Sequence, residues 1–413
     1  MRIPVQNDCA GSQTRHLRWS TRCGLLILLA TCSNTAFAHV KWFWENADCS
    51  APALSPLKVI SSPAFIILGV LSFLVMFVVG VIDTRVSRVG SPLNTFAERI
   101  DVFATPWMPR LLRYGLAAFF FTVVPYFGDS PVYLTPELYA SGMWVPILQL
   151  LIAFTLIWRP SAWLGAAGIT VLYGFSVLQH GAFHMLDYPI FLGAAAFVAI
   201  DSCYRGQRND LAFAVLRVSA GITLMWAAGE KWLFPSWSAE VMNDELRGLR
   251  GNLSPELFLS AAGWIEFCAA YALVFGRRSV QIAAWLLLVP FIAAIPVFGS
   301  LDAIGHAPII IVLLMLGLTR SRLPDAIQGA TNISMALQRA ITCTLAALTT
   351  TGAYWWLHAL AHLQIRAIDP GPAAVALLLS ILLPLWWLPR SRLFRSTIIN
   401  PPDHHGPASV SLG

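Results

Sequence analysis

The chain predicts an all-α, polytopic transmembrane helix bundle of about eleven spans after a cleaved signal peptide, with a tandem four-helix repeat inside it. Three observations carry this. Of 413 residues, 57% are hydrophobic and 12% charged, which is too apolar for the core of a water-soluble protein. Uncharged runs of roughly 17–24 residues, the length needed to cross a bilayer, recur along the whole chain. And LTPELY at 134–139 returns as LSPELF at 253–258, an offset of 119 residues.

The first element, residues 1–38, reads as a signal peptide. Arg15, Arg18 and Arg22 form a basic start, CGLLILLATC a short apolar run, and Ala36-Phe37-Ala38 a small-residue cleavage signal, so the mature chain begins at His39. An uncleaved anchor competes less well, because a spanning helix wants about 20 apolar residues. Lipidation at Cys32 also fits poorly, with Thr31 where a small residue normally stands. Removing Arg2, Arg15, Arg18 and Arg22 against Asp8 lowers the net charge from +6 to about +3, which argues against a nucleic-acid partner. Cys9, Cys23 and Cys32 leave with the presequence, Cys268 and Cys343 lie in apolar runs, and Cys49 has no partner on the oxidising side. No structural disulfide is predicted. Trp42, Phe43 and Trp44 suit an interfacial aromatic anchor.

The predicted spans lie near 62–82, 108–126, 142–158, 162–179, 187–202, 211–231, 257–276, 280–298, 304–319, 336–356 and 371–388. With His39 exported, an odd number of spans places the C-terminus in the cytoplasm. On that topology the cytoplasmic connections hold 16 Lys or Arg and the periplasmic side 6, as the positive-inside rule requires of a bacterial inner-membrane protein. The parts are then a periplasmic N-terminus with a first span (39–107), repeat A (108–202), repeat B (211–319), a two-helix hairpin (320–395) and a cytoplasmic tail (396–413) rich in Pro, with His404 and His405.

The repeat rests on a second match at the same offset, DYPIF at 187–191 over HAPII at 306–310, each expected at the periplasmic entrance of a helix. LLRYGLAAFFF at 111–121 matches VLRVSAGITLM at 215–225 at an offset of 104, so repeat B carries a longer loop at 232–256. An even number of spans in each unit keeps both copies parallel.

Repeat B resembles the DoxX-like family of four-helix membrane proteins. The residues that carry the resemblance are Arg217 opening RVSAGITLMWAAGEKW, the small stretch Ala227-Ala228-Gly229, Lys231 at the helix end, and Glu266 in GWIEFCAAYALVFG. Repeat A keeps Arg113 but lacks the lysine, and has Gln149 near the position of Glu266. The resemblance covers roughly 108–319. It implies membrane redox work near quinone, with Arg217, Glu266 and Lys231 as the catalytic candidates. The extra helix at 62–82 and the last two helices depart from a simple four-helix member.

The residues themselves suggest a polar site on the periplasmic face, where six histidines gather. HGAFHMLDY places His180 and His184 four apart with Asp187 one turn further, and HALAH repeats the spacing with His358 and His362. Paired imidazoles with a carboxylate suit a divalent metal, and the same spacing also suits polar residues at a lipid–water boundary. His306 falls opposite Asp187 in the repeat, and His39 as an N-terminal residue offers an amino group and imidazole to copper. Charges in the hydrocarbon, Arg217 and Glu266, cost about 2.5–3.5 kcal/mol at mid-bilayer and therefore point to function, whereas Glu230 and Lys231 at a helix end can also snorkel to water. No CxxCH, nucleotide or phosphate motif is present. The reading is an inner-membrane redox component linked to quinone or to a transition metal, with a periplasmic redox or metal-carrier protein as partner. A metal-handling protein without turnover and a transporter are the alternatives.

Overall fold

The computed structural model describes residues 52–86, 92–207, 209–243, 247–320 and 332–361. The signal peptide, His39, His362, the span expected at 371–388 and the tail lie outside the described residues. Among the described residues the architecture is all-α. The helices are α1 (Pro63–Val86), α2 (Pro92–Ala104), α3 (Met108–Tyr126), α4 (Trp144–Ile157), α5 (Ala162–His180), α6 (Pro189–Tyr204), α7 (Asn209–Leu233), α8 (Pro235–Asn243), α9 (Pro255–Phe275), α10 (Ser279–Leu318) and α11 (Asn332–Ala361). Five of them begin with proline, which has no N–H to lose at that position.

Five helices, α1, α5, α7, α9 and α10, are long and apolar enough to cross a membrane, and α4 and α6 are shorter apolar helices. On α1, Ile66, Ile67, Val70, Leu71, Leu74 and Val78 all point outward with half or more of their surface exposed. A soluble protein does not leave such a continuous apolar belt open, and this chain is a membrane protein.

The two spans expected at 280–298 and 304–319 are two helices that meet at Gly299 within α10, where the φ of 77° is one only glycine adopts without strain. The chain doubles back there. Phe291 and His306 would be about 22 Å apart along a straight helix, yet their rings are 4.9 Å apart, and Gln281 Nε2 reaches the carbonyl of Gly317 at 3.4 Å. Two further helices, α2 and α8, stand where only loops were expected.

Within each half consecutive long helices pack as neighbours, α1 packs on α9 and α11, and the two halves close on each other through α6 against α7 and α3 against α10. Small residues make these approaches possible. A Cβ on Gly193 of α6 would collide with the Ser219 side chain of α7, and one on Gly115 of α3 would meet Ile311 of α10 at 2.5 Å. Gly115 and Ser219 are counterparts at the offset of 104, so the same crossing is built twice with the small residue on opposite partners. On α11 a stripe at spacings of three and four (Ala336, Ala340, Cys343, Ala347, Thr351, Tyr354) is buried, and Ala336 lies so close to α1 that a Cβ on Gly80 would meet its Cα at 2.9 Å.

Each half uses an arginine in the same way. Arg113 Nη1 donates to the carbonyls of Leu156 and Ile157 at the end of α4, both at 3.1 Å. Arg217 donates from Nε to Leu273 at 2.8 Å and from Nη2 to Val274 and Gly276 at 3.1 and 2.9 Å, at the end of α9. The last carbonyls of a helix have no partner within it, and a buried guanidinium supplies donors in a fixed fork. Nearby, the Asp83 carboxylate accepts from the backbone N–H of Arg277, Arg278 and Ser279 at 2.9, 2.8 and 2.8 Å, closing the start of α10, and pairs with Arg339 of α11 at 2.7 Å. We call this the arginine end of the bundle.

The repeated motifs do not all keep their expected setting. LSPELF opens α9, with the Ser254 hydroxyl accepting from the N–H of Leu257 at 3.3 Å as an N-cap. LTPELY instead forms a turn closed by the bridge between Val132 and Tyr139, and α4 starts only at Trp144. DYPIF stands at the entrance of α6 as expected, whereas HAPII lies inside α10, past the Gly299 break.

Candidate functional site

The opposite end of the bundle holds a polar cluster built from five segments. Near the end of α7, successive residues Glu230 and Lys231 point to different partners. Lys231 Nζ pairs with Glu266 Oε2 of α9 at 2.6 Å, and Glu230 Oε2 accepts from the hydroxyl of Tyr354 on α11 at 3.1 Å. The Lys231 and Glu266 side chains keep 30% and 17% of their surface, while Glu230 and Tyr354 are buried. This pair is thus the part of the cluster a ligand can touch. Asp187 lies within electrostatic reach of both Lys231 and Tyr354.

Asp187 and His184 occupy a short 3-10 turn, His184–Asp187, between α5 and α6. The helix that carries His180 stops there because Gly181 turns to a φ of 88°. His180 and His184 are therefore not on one helical face, although their ring centroids are 6.1 Å apart. His180 Nε2 lies 3.0 Å from the Tyr139 carbonyl. His184 Nε2 lies 3.8 Å from Glu137 Oε1, in the LTPELY turn. In the same turn the Tyr133 hydroxyl donates to Gln179 Oε1 at 2.8 Å, and burial pushes its phenol up from the ordinary value.

Aromatic rings enclose the Glu230–Tyr354 pair. Tyr354 lies 4.6 Å from Trp226, 5.2 Å from Phe183 and 6.1 Å from Phe234, centroid to centroid. His358, one turn beyond Tyr354, packs against Phe183 at 5.5 Å and Phe234 at 4.9 Å. The result is a set of acid–base pairs edged by flat rings.

The structure thus brings together Lys231, Glu266, His184 and Asp187 of the expected residues, with His180 and His358 at the margins. Arg217 is elsewhere: fourteen residues from Lys231 on α7, about 21 Å of helix, it holds carbonyls at the arginine end. His306 Nδ1 pairs with Asp302 Oδ1 of its own helix at 2.9 Å. Among the described residues no three His, Cys, Asp or Glu side chains converge as a metal-ligand set.

Five participants, Glu137, Tyr354, Phe183, Trp226 and Phe234, were not singled out from the sequence as site residues. Glu137 served only as part of a repeated motif, yet a carboxylate in an otherwise apolar turn was itself a signal. Tyr354 stands in an apolar run, and nothing in its sequence neighbours names Glu230 as its partner. The rings Phe183, Trp226 and Phe234 come from separate segments and share no local pattern. No family model, no curated protein and no solved structure matches the chain.

Proposed function

We propose that this is an inner-membrane redox component that binds a quinone at the Lys231 end of the bundle, with that end and the mature N-terminus in the periplasm and the C-terminus in the cytoplasm. The observation that carries this is the juxtaposition of Lys231–Glu266 at 2.6 Å with Glu230–Tyr354 at 3.1 Å beside the Trp226 and Phe183 rings. A quinone head is a flat ring with two carbonyl oxygens, and aromatic side chains favour stacked or edge-to-face contact with such a ring. The Lys231 ammonium, at the accessible edge, is a donor suited to its oxygens and Glu266 is an acceptor for a quinol proton, while Glu230, held by the Tyr354 hydroxyl, lies behind them as a buried second acceptor. Quinol oxidation releases two protons and two electrons. The carboxylates take the protons, and the electrons pass to a soluble carrier at the same face.

The arginine bias of the connections supports the orientation, and the likeness of 108–319 to DoxX-like proteins supports the redox class. Metal handling draws less support, since the described histidines divide between the end of α5 with the turn after it, α10 and α11. The test uses purified protein in lipid nanodiscs titrated with decylubiquinone, read by quenching of tryptophan fluorescence. Wild type should bind, and the double variant Lys231→Met/Glu266→Leu, which removes the pair without leaving a lone charge, should bind at least tenfold more weakly while remaining folded. Equal binding by both proteins would overturn the assignment.

A further inference from the structure

Cys268 of α9 and Cys343 of α11 face each other inside the bundle with their Sγ atoms 3.9 Å apart, and both are free thiols. Both are buried, Cys343 at 1% and Cys268 at 9% exposure, so Cys268 is the nearer of the two to the outside of the bundle. On that side Ser72 of α1 is hydrogen-bonded to Cys268, and its neighbours Leu71 and Val75 point out of the bundle. Between the same three helices, toward the arginine end, is a narrow crevice with room for little more than a water molecule, whose lining includes Met76, Tyr271 and Arg339 and neither cysteine. Each of these lies one helical turn from Ser72, Cys268 or Cys343, respectively. The Tyr271 hydroxyl, 2.5 Å from Thr342 Oγ1, and the Arg339 guanidinium place hydrogen-bond donors at its wall.

We infer that Cys268 and Cys343 are a redox-active dithiol, oxidised to a disulfide by a lipid-soluble quinone that reaches Cys268 from the lipid-facing side of α1. The sulfurs already touch, and a disulfide needs them about 1.9 Å closer, a shift within reach of a side-chain rotation and a small helix adjustment. Two S–H bonds break and one S–S bond forms. The two electrons and two protons pass to the quinone oxygens, so that two thiols and one quinone give one disulfide and one quinol. The surroundings select the oxidant: the Cys268 side faces lipid-exposed residues of α1, which a charged aqueous oxidant does not cross. The bond would tie α9, which carries Glu266, to α11, which carries Tyr354, and so connect the thiol state to the cluster at the other end. The inference does not rest on the Lys231 site.

The test uses full-length protein in nanodiscs, reduced and freed of reductant. It is then exposed either to duroquinone, whose ring carbons are all substituted and do not add thiols, or to oxidised glutathione. After alkylation in detergent and cleavage at arginine, residues 251–277 and 340–366 are released as fragments with one cysteine each. Duroquinone should yield the two fragments linked, two hydrogens lighter than their sum, with duroquinol formed in equal amount. Oxidised glutathione should leave both fragments alkylated, and Lys231→Met/Glu266→Leu should still give the linked product. Cys343→Ser, close in size to wild type and checked by its elution as a folded particle, should give none. Separate alkylated fragments after duroquinone, or equally fast linking by glutathione, would overturn the proposal.

Discussion

The two halves of the bundle, 108–204 and 209–318, share a frame and differ at one level of it. At the arginine end they are alike: Arg113 and Arg217, both buried, each hold the terminal carbonyls of the next long helix. At the other end they part. In the first half Gln149, 1% exposed, donates through Nε2 to the carbonyls of Val132 and Tyr133 at 2.7 and 3.0 Å. In the second half Glu266, near the matching position, meets the Lys231 ammonium on a partly open face. An amide satisfied by backbone stabilises a turn and is closed to chemistry. A carboxylate paired with an ammonium at an accessible edge can exchange protons. At these matched positions the first half keeps a closed amide and the second adds an accessible charge.

The largest effect should come from breaking what the halves share. Arg217→Ala leaves three buried carbonyls without donors and an empty space at the end of α9, and should lower stability in detergent by about 3–5 kcal/mol, read from thermal unfolding. Arg217→Lys should recover only part of this, because a point charge cannot reproduce the fork. Next comes an attempt to convert the first half into the second. Gln149→Glu sets a carboxyl against two carbonyls that need a donor, so it should cost about 2–3 kcal/mol in the same assay and create no quinone binding of its own. A smaller effect sharpens the comparison at the crossings. Gly193→Ala should destabilise by about 1–2 kcal/mol through its clash with Ser219, and adding Ser219→Gly should return most of the loss, since the crossing then has its small residue on the other helix. An additive result would show that the two positions do not share the strain.

How much of this was legible beforehand varies residue by residue. Helix positions followed from apolar runs, because a bilayer demands spans of one length and internally satisfied backbone. The break at Gly299 was expected as a loop between two spans, and the reversal there is real, although nearly continuous helix runs up to it. LTPELY misled as a match to a helix start. The same letters serve as an N-cap when the next turn can wind and as a closed turn when Gln149 ties Val132 and Tyr133 to α4. His180 and His184 looked like a helical pair, and Gly181 removes them from one face.

What the sequence by itself determined is the class of molecule: an apolar, helical membrane chain, with charges so costly in hydrocarbon that Arg217 and Glu266 stood out unaided. Composition and spacing act locally, within a turn or a span, so they carry that much. Only the tertiary structure decided what each charge does, because partners such as Glu230 and Tyr354 are 124 residues apart. The same holds for Cys268 and Cys343, separated by 75 residues. Which helices become neighbours depends on packing small residues against large ones across the whole bundle, and that choice sends Arg217 to the carbonyls of α9 and Lys231 to Glu266.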